Sequence, residues 1–507
     1  MIDKPATATS ENQGNSADKP STEGKISKTS FKKELKLIDS TMIVIGSMIG
    51  SGIFIVSADI GRTVGSPGYL LLVWLITGAV TITAALSYGE LAGMLPHAGG
   101  QYVYLREEYN PLVGFLYGWT LFLVIQTGTI AAVAVAFAKF TAVIIPFFSE
   151  KNILIHIFGL NISAAQLLGI ASVLFLTYLN MLGLKTGKTI QNIFTSTKTL
   201  ALFLLIVLAF LIGRNAVAEH ANFSDFWNPS WTHLSDGKIS SVEPLSGLML
   251  LAAIGVAMVG SLFSSDAWNN ITFTAGEVVN PKKTIPLSLF LGTLIVTLLY
   301  ISANVGYTLV LPLKGNPDGI NSMQRGIQFA LSDRVATAAA SIIFGSPAVV
   351  IMAVLIMIST FGCNNGLILS GARVYYAMAK DKLFFKKTSK LNKYSVPGFA
   401  LAIQAVWASL LCLSGTYNDL LDYVIFAVLI FYILTIFGIF RLRKLRPDAE
   451  RPYKAWGYPV VPAIYILCAA GICIDLLIFK PMYTWPGVVI VLVGIPVYFL
   501  WRKFSEK

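Results

Sequence analysis

The stretch that decides the fold is Gly46-Ser47-Met48-Ile49-Gly50-Ser51-Gly52-Ile53-Phe54, in the middle of the first long apolar segment. It places three glycines in seven positions, and glycine weakens a helix because it favours non-helical backbone. Inside a membrane, a helix unwinds only where the freed N–H and C=O groups line a cavity or meet a ligand. The stretch therefore predicts either a binding site at a broken helix or close packing of another helix on small residues.

The composition around this stretch is that of a membrane protein. Of 507 residues, 55% are hydrophobic and 13% are charged, and the mean hydropathy is +0.69, whereas about a quarter of the residues of a soluble domain are charged. Residues 1–35 are polar and lack the apolar core of a cleaved signal peptide. We expect them to form a disordered cytoplasmic tail, and residues 36–507 to form a single domain.

The sequence predicts an all-α membrane protein with twelve transmembrane helices. Apolar runs of about 20 residues are long enough to cross a hydrocarbon core of roughly 30 Å. The twelve predicted spans are 37–61, 68–95, 111–147, 163–183, 190–213, 245–276, 285–312, 344–379, 397–414, 418–441, 458–478 and 484–501. The third is long enough to be strongly tilted or to extend out of the membrane.

The distribution of positive charge predicts how these spans are oriented. Twelve spans place both termini on one side, and that side then holds 27 of the 38 Lys and Arg residues, against eight on the other side and three inside spans. Because Lys and Arg concentrate in cytoplasmic loops, both termini are predicted to be cytoplasmic in a multi-pass protein of the cell membrane. The net charge of +12 is then topological, and it does not indicate nucleic-acid binding.

Motifs of enzymes and metal sites do not occur in the sequence. The four cysteines lie in apolar segments without a metal-ligand spacing, and the four histidines fall in loops or near span ends. There is no Walker sequence, His-Glu metal motif or nucleophile elbow. We therefore expect neither an enzyme nor a bound metal or cofactor.

A second polar interruption occurs in the sixth span, five spans after the first. The apolar run 248–259 gives way to Gly260-Ser261-Leu262-Phe263-Ser264-Ser265-Asp266-Ala267-Trp268-Asn269-Asn270. In inverted-repeat transporters, discontinuous helices occur at corresponding positions of the two repeats. An acid such as Asp266 is costly inside a membrane, so it either belongs to a functional site or pairs with a basic residue of the bundle.

Two facing helix breaks match the chemistry of a zwitterion. The half-helix that begins after a break presents unpaired N–H groups and a positive dipole end, which suit a carboxylate. The half-helix that stops exposes carbonyl groups, which suit an ammonium. An amino acid carries both groups on one carbon, so such a pair of breaks would bind its main chain and leave its side chain to a separate pocket.

Six stretches, in the same order along the chain, carry a resemblance to a known family. They are Ile49–Phe54; Glu90–Pro96 with Gly99–Leu105; Phe263–Asn269; Glu277 with Asn280-Pro281-Lys282; Ser359–Gly366 leading to Arg373 and Met378-Ala379; and Arg451-Pro452-Tyr453 with Gly457-Tyr458-Pro459. Nearly everything after residue 33 resembles the amino acid-polyamine-organocation (APC) superfamily, and within it the L-type amino acid transporter (LAT)-like branch with its bacterial-type relatives.

The resemblance implies the LeuT-type fold. Spans one to five, about 37–213, and spans six to ten, about 245–441, would form a 5+5 inverted repeat with discontinuous helices 1 and 6. Helices 11 and 12, about 458–501, would lie outside the repeat.

The resemblance also implies roles for residues at the two breaks. The N–H groups of Gly50, Ser51 and Gly52 would bind the substrate carboxylate. The ammonium would be received by three carbonyls, those of Met48, Ile49 and Phe263. Ser264, Asp266 and Asn269 would belong to the same substrate site, and Asn269 would help to hold the unwound helix.

Phe263 has a second implied role, as the aromatic gate that closes the pocket from outside; plain packing is the alternative. The chain departs from the pattern at Ser265-Asp266-Ala267-Trp268, where many relatives have a tyrosine and a glycine. The pocket would then be roomier or more polar.

The outer loop between spans three and four has no cysteine, so we expect no disulfide-linked heavy subunit and a monomer or weak homo-oligomer in the lipid bilayer.

Lys198, in the fifth span, is the candidate coupling residue. It lies about two turns from the predicted cytoplasmic end of an apolar helix, and its side chain either snorkels to the cytoplasm or points to the first break. In the second case, the resemblance implies that its ammonium replaces a sodium ion. Sodium-independent transport would follow, or coupling to a proton if Lys198 titrates.

The sequence thus predicts a secondary active transporter that exchanges neutral L-amino acids without sodium by alternating access. A proton-coupled amino acid symporter is an alternative. So is a transporter of cationic amino acids or polyamines, in which Asp266 would bind the substrate's side chain. A channel or receptor that binds an amino acid is the alternative from another class.

Overall fold

The structure, a computed structural model, is mostly helical and describes residues 31–157, 160–235, 237–413 and 417–505. Its α-helices are α1 (Leu37–Met48), α2 (Gly52–Ile55), α3 (Ser57–Val64), α4 (Pro67–Met94), α5 (Gln101–Glu108), α6 (Pro111–Thr120), α7 (Gln126–Ile144), α8 (Ala164–Met181), α9 (Leu184–Leu211), α10 (Ala216–Phe223), α11 (Gly247–Ser264), α12 (Asn270–Phe273), α13 (Pro281–Val310), α14 (Ser322–Arg325), α15 (Val335–Phe344), α16 (Ala348–Lys380), α17 (Gly398–Cys412), α18 (Tyr417–Leu445), α19 (Val460–Phe479) and α20 (Pro481–Ser505).

Ten helical runs among the described residues are long and apolar enough to cross a membrane. They are α4, α8, α9, α11, α13, α16, α18, α19, α20 and the run Pro111–Ile144, in which a π-helical turn joins α6 to α7. Each run overlaps one of the predicted spans. The prediction of a mostly helical, multi-pass membrane protein is therefore confirmed.

The other two predicted spans contain shorter helices. Span 37–61 consists of α1, α2 and α3, and span 397–414 consists of α17 alone. With 15 residues, α17 is about 22 Å long, which is less than the roughly 30 Å thickness of a hydrocarbon core. The third predicted span, 111–147, is one continuous helical passage.

Two short hairpins depart from the all-α prediction. Strand β1 (Ile153–Ile157) pairs antiparallel with β2 (Leu160–Ser163), and β3 (Ser230–Ser235) pairs antiparallel with β4 (Lys238–Pro244). Both lie in connections between long helices. These connections contain β-branched residues, which suit a strand. The connections are too short and too polar to be detected by a prediction based on apolar runs.

The first predicted span is broken within the glycine-rich stretch. Helix α1 ends at Met48, Ile49 has extended backbone with ψ of 94°, and helical backbone resumes in α2 at Gly52. Val56, between α2 and α3, keeps right-handed helical angles, so the chain after the break runs on as a helix to Val64. The break lies against α9, α13 and α16, which pack on α1.

The sixth predicted span is broken as well. Helix α11 ends at Ser264, and α12 begins at Asn270. Between them, Ala267 has a left-handed backbone with φ of 63°, a conformation that costs an L-residue other than glycine about 1 to 2 kcal/mol. Helix α11 therefore cannot continue through this residue.

The predicted tail, residues 1–35, lies mostly outside the described residues. In the part that is described, the N–H groups of Glu34 and Leu35 donate to the carbonyl oxygen of Glu277 at 2.9 and 3.0 Å. Leu35 also forms a parallel bridge with Val278, and Lys188 Nζ donates to the carbonyl of Glu34 at 3.0 Å. Within the described residues, Glu34 and Leu35 therefore already pair with the segment that follows α12.

Candidate functional site

The two broken helices contact each other at their breaks. A Cβ on Gly52 would lie 2.0 Å from Ser264 Oγ and 3.1 Å from Ser264 Cα, and a Cβ on Gly260 would lie 3.1 Å from Val56 Cβ. Glycine at position 52 is therefore required by the close approach of α2 to the end of α11. From α13, the Tyr300 hydroxyl lies within hydrogen-bond distance of the carbonyl oxygens of Met48, at 3.1 Å, and Ser264, at 3.0 Å.

The carbonyl groups at the end of α1 are bound by side chains from three other helices. The last carbonyls of a helix have no partner within the helix. The Ser47 carbonyl accepts from Cys363 Sγ of α16 at 3.0 Å, and the Met48 carbonyl accepts from Tyr300 of α13. The Gly46 carbonyl accepts from Lys198 of α9. The break is thus fixed on its carbonyl side by α9, α13 and α16.

Lys198 is buried, with 1% of its surface exposed, and its ammonium lies at the break. Lys198 Nζ donates to the carbonyl oxygens of Gly46 at 2.7 Å, Ile49 at 2.5 Å and Ser359 at 3.2 Å. Its side chain therefore does not snorkel to the cytoplasm. The negative end of the α1 dipole and three carbonyl oxygens are suitable acceptors for the N–H groups of an ammonium.

A close fit between α1 and α9 holds Lys198 in this position. A Cβ on Gly46 would lie 2.0 Å from Gln191 Nε2 and 2.2 Å from Thr195 Oγ1. From the other side, the Ser359 hydroxyl of α16 lies within hydrogen-bond distance of the carbonyl oxygens of Gly50, at 2.9 Å, and Ile49, at 3.2 Å. The cation and the unwound backbone form one connected polar cluster.

On the other side of the first break, the chain presents N–H groups. No hydrogen bond from the N–H of Gly50 or Gly52 is found to any part of the chain that the structure describes. Ser51, between them, is 1% exposed. Buried N–H groups at the start of a helix favour a negatively charged partner because of the helix dipole.

Asp266 lies in the second break and faces a small cavity. Its carboxylate accepts a hydrogen bond from the Tyr432 hydroxyl of α18 at 2.6 Å. Among the described residues, no lysine, arginine or histidine lies within 4.0 Å of it, so its partner is a tyrosine rather than a basic residue. The cavity is also lined by polar groups of α7 and α18, among them Gln126, Thr129 and Tyr432.

Asn269 and Phe263 occupy the two ends of the second break. Asn269 Nδ2 donates to Gln101 Oε1 at 2.8 Å, and Gln101 Nε2 donates in turn to Thr435 Oγ1 at 3.1 Å. These two hydrogen bonds connect the unwound segment to α5 and α18. Phe263 lies in the last turn of α11 and is 8% exposed. Ser264 Oγ donates to the carbonyl of Gly260 at 2.8 Å.

The structure therefore brings together the predicted residues of the two breaks and the predicted lysine. It adds residues to which the sequence analysis assigned no role, namely Tyr300, Ser359, Gln126, Tyr432 and Gln101. Ser359 and Gln101 stood in the family-like stretches, but nothing in their spacing assigned them to a break. Tyr300 and Tyr432 are two of 20 tyrosines, and only their contacts distinguish them.

A buried ion pair lies at one end of the bundle, on the α12 side of the second break. Arg373 of α16 donates to both carboxylate oxygens of Glu277, from Nε at 3.0 Å and from Nη2 at 2.9 Å. Both side chains are 1% exposed. The N–H groups of Glu34 and Leu35 bind the Glu277 carbonyl, so the N-terminal segment covers the same end.

The two broken helices meet inside a bundle of membrane-crossing helices. Their breaks present N–H groups on one side and a buried cation on the other. This combination is typical of a membrane transporter for a small charged solute. Residues 35–500 match the family described as amino acid permease, and the chain belongs to that family. It is a transporter of amino acids, and the resemblance to the LAT-like branch of the APC superfamily is confirmed.

Three relatives illustrate the match. The serine/threonine exchanger SteT of Bacillus subtilis (strain 168) is 29% identical over 476 residues, which are 93% of this chain and 98% of the relative. The b(0,+)-type amino acid transporter 1 of Mus musculus is 28% identical, over 94% of this chain and 89% of its own length. The large neutral amino acids transporter small subunit 2 of Homo sapiens is 30% identical, over 94% and 82%.

Proposed function

We propose that this protein exchanges neutral L-amino acids across the cell membrane by alternating access, without sodium. The observation that carries the proposal is the ammonium of Lys198 on the carbonyls of Gly46, Ile49 and Ser359. Carbonyl oxygens at a helix break are suitable ligands for a sodium ion. A covalently held ammonium supplies a positive charge at the same carbonyls, so it removes the need for sodium.

The substrate's main chain is bound by the first break. Its carboxylate is held by the N–H groups of Gly50, Ser51 and Gly52, at the positive end of α2. Its ammonium is received by the carbonyls of Met48, Ile49 and Phe263. The Met48 carbonyl accepts from Tyr300, and because a carbonyl oxygen has two lone pairs, it can also accept from the substrate ammonium. The Ile49 carbonyl already has Lys198 Nζ and Ser359 Oγ within hydrogen-bond distance, so the substrate ammonium takes the place of the Ser359 hydroxyl there, which keeps the Gly50 carbonyl.

The second break completes the site. Asn269 holds the unwound segment through Gln101, Ser264 fits against Gly52, and Phe263 closes the pocket from outside.

Small side chains with a hydroxyl group, such as that of serine or threonine, are the proposed substrate class. The cavity at the second break is small and has polar walls that include Gln126 and Thr129. Ser265 stands where many members of the family have a tyrosine. It lines a neighbouring cavity that shares Asp266 and Tyr432, and its smaller side chain leaves that space open. SteT, a relative that this chain matches over 98% of its length, is a serine/threonine exchanger, which supports the same class.

The proposed architecture is the LeuT-type 5+5 inverted repeat. The broken helix α1 to α3 is helix 1, α11 to α12 is helix 6, and the short α17 is helix 9 of twelve. Both termini are cytoplasmic, as the distribution of Lys and Arg indicates. The protein works in the cell membrane as a monomer or weak homo-oligomer, without a disulfide-linked heavy subunit.

Uptake into proteoliposomes tests the exchange mechanism. Labelled serine should enter vesicles preloaded with unlabelled serine at least tenfold faster than empty vesicles, and replacing sodium with choline should leave the rate unchanged. Uptake into empty vesicles that collapses with the pH gradient would instead support a proton symporter. Absence of counterflow in preloaded vesicles would point to a channel or receptor.

A cationic substrate is the second candidate, because one observation favours it. Asp266 faces the cavity, and no basic group among the described residues neutralises its carboxylate. An arginine, lysine or polyamine side chain could supply that charge. Counterflow with labelled arginine decides between the two. If arginine exchanges as fast as serine, and Asp266→Asn removes arginine exchange alone, the cationic assignment replaces the neutral one.

A further inference from the structure

A groove on the outer surface of the bundle runs between the end of α4 and the beginning of α13. Ile82 and Leu86 of α4 line one wall, and Leu287 and Phe290 of α13 line the other. Leu287 is 44% exposed. The segment Arg451–Trp456, which connects α18 to α19, forms the third side of the groove. Because α4 and α13 are membrane-crossing helices, these apolar walls face the bilayer.

The mouth of the groove is basic and aromatic. Lys282 and Lys283, in the first turn of α13, line it together with Tyr453 and Trp456. Lys282 pairs with Glu450 at 2.6 Å, whereas Lys283 makes no ion pair with any residue in the described ranges. Tyrosine and tryptophan are enriched at the membrane–water interface, so the mouth lies at headgroup level.

The distance along α13 from the lysines to the apolar wall can be compared with the thickness of the headgroup region. Seven residues from Lys283 to Phe290 correspond to about 10 Å along α13. The headgroup region on one side of a bilayer is about 5 to 8 Å thick. Lysines at headgroup level therefore place Phe290 among the acyl chains, and Leu287, about 6 Å from Lys283 along the helix, at the boundary with the headgroups.

The aromatic side of the groove is fixed before any lipid arrives. Glu90 of α4 is 1% exposed; it pairs with Arg451 Nε at 3.3 Å and accepts from the N–H of Ala455 at 2.7 Å. A Cβ on Gly89 would lie 2.8 Å from the Tyr453 ring, so this ring packs directly on the α4 backbone. A preorganised wall lowers the entropic cost of binding.

We propose that this groove binds an anionic glycerophospholipid, with its phosphate at Lys282 and Lys283 and an acyl chain between α4 and α13. Basic pockets between transmembrane helices on the cytoplasmic side are suited to anionic headgroups, and the Lys and Arg distribution assigns this end of the bundle to the cytoplasm. Lys283 carries the uncompensated charge that selects an anionic headgroup over a zwitterionic one. The proposal does not depend on the exchange mechanism.

Lipid binding to the purified, delipidated protein in detergent tests the proposal. Phosphatidylglycerol and phosphatidylcholine with identical acyl chains are titrated, and binding is followed by native mass spectrometry and by melting temperature. We expect phosphatidylglycerol to bind about tenfold more tightly. Lys282→Gln with Lys283→Gln should abolish that preference, because each interfacial lysine contributes about fivefold. The matched control is Lys386→Gln with Lys387→Gln, which removes an adjacent basic pair from another loop and should leave the preference unchanged.

Two further arms identify what the groove holds. Leu287→Trp fills the apolar wall and should weaken phosphatidylglycerol binding while both lysines remain. Glycerol phosphate, which has the headgroup chemistry without acyl chains, should not raise the melting temperature. The proposal is overturned if the double lysine variant keeps the preference, if phosphatidylcholine binds equally well, if Leu287→Trp changes nothing, or if glycerol phosphate stabilises as strongly as the lipid.

Discussion

Lys198 is the residue on which the proposed mechanism depends most. Its ammonium makes three hydrogen bonds to backbone carbonyls at the first break, and a hydrogen bond to a charged group contributes about 1.5 to 3 kcal/mol. The amide of glutamine has only two N–H donors and no charge. Neither glutamine nor alanine can therefore replace the lysine at this position.

We expect Lys198→Ala to lower serine exchange by about tenfold or more, because the unwound carbonyls lose their cation. The effect on folding should be smaller, as judged by melting temperature and by a monodisperse elution profile. Lys139→Ala is the control, since Lys139 is a lysine inside a predicted span that makes no contact with the break. Unchanged exchange in Lys198→Ala would remove this residue from the mechanism.

Ala267 is a point of backbone strain in the second break. Its φ of 63° costs about 1 to 2 kcal/mol, and relatives with glycine at this position avoid that cost. Glycine also makes the unfolded chain more flexible, which offsets about 0.4–1 kcal/mol of that gain. We therefore expect Ala267→Gly to raise the free energy of unfolding by about 0.5 to 1 kcal/mol and the melting temperature slightly.

A helical alanine supplies the control for this change. Ala257, in the interior of α11, has a buried side chain like that of Ala267. Ala257→Gly should lower the melting temperature, because glycine in a helix interior costs about 1 kcal/mol. If Ala267→Gly is as destabilising as Ala257→Gly, the strain at position 267 does not limit stability.

Glu108, at the end of α5, is a buried acid outside the membrane-spanning helices. It is fully buried, and neither carboxylate oxygen has a hydrogen-bond partner in the described structure. Burial raises the pKa of Glu108 well above its ordinary value. Its neighbour Glu107 behaves oppositely, because hydrogen bonds from Arg446 and Arg106 lower the pKa of Glu107.

The two glutamates predict opposite effects of pH on stability. A raised folded-state pKa means that the folded protein loses stability as pH rises from the ordinary carboxyl value through the raised one. Glu108→Gln cannot ionise, so we expect its melting temperature to exceed that of the wild type increasingly toward alkaline pH. Glu107→Gln should be less stable than the wild type above the ordinary carboxyl pKa, and the difference should vanish in acid. Parallel melting curves for Glu108→Gln and wild type would contradict this.

At the scale of elements, the contact between the two broken helices is closest at Gly52. The Cβ of Gly52→Ala would lie 2.0 Å from Ser264 Oγ and 3.1 Å from Ser264 Cα, so α2 and α11 must separate. Overpacking of this kind costs about 1 to 3 kcal/mol. We expect Gly52→Ala to lower serine exchange about tenfold or more, measured by counterflow.

The partner residue offers a rescue experiment. Gly52→Ala combined with Ser264→Gly removes the side chain that the new methyl group meets, and it should recover part of the exchange. Gly471→Ala in α19 is the control, because no atom lies within 4 Å of its added Cβ, and it should behave as wild type. If the double variant is no better than the single one, the close approach of the breaks is not what position 52 provides.

At the scale of the whole molecule, one end of the bundle is closed by the Arg373–Glu277 pair and by the N-terminal segment at Glu34 and Leu35. The proposed alternating access would require this end to open, and the buried ion pair would then have to separate. A bidentate pair with both groups 1% exposed is stable while it is intact and costly when only one partner is removed.

We expect Arg373→Leu to destabilise the protein by about 3 to 5 kcal/mol, because it leaves the Glu277 carboxylate buried and unpaired. Arg373→Leu combined with Glu277→Leu should lose much less, since neither charge remains. Melting temperatures of the single and double variants measure the difference. A double variant as unstable as the single one would show that packing, rather than the ion pair, closes this end.

The membrane class, ten of the helices and the position of both breaks followed from the sequence. Each depends on local composition, since apolar length marks a span and glycines or polar residues inside a span mark a break. The shortness of α17 and the two hairpins did not follow. Apolar composition measures how much of a segment avoids water and does not fix where its hydrogen-bonded helix ends.

The candidate site divides in the same way. The sequence by itself determined that Gly50, Ser51, Gly52 and Asp266 belong to helix breaks and that Lys198 is a cation inside an apolar helix, because each is costly in a membrane without a local reason. Only the tertiary structure decided that Lys198 binds the first break, that Asp266 pairs with Tyr432, and that Tyr300 touches both breaks. These contacts join residues 149 or more positions apart, except Tyr300 with Ser264. Distance along the chain carries no information about which helices pack together.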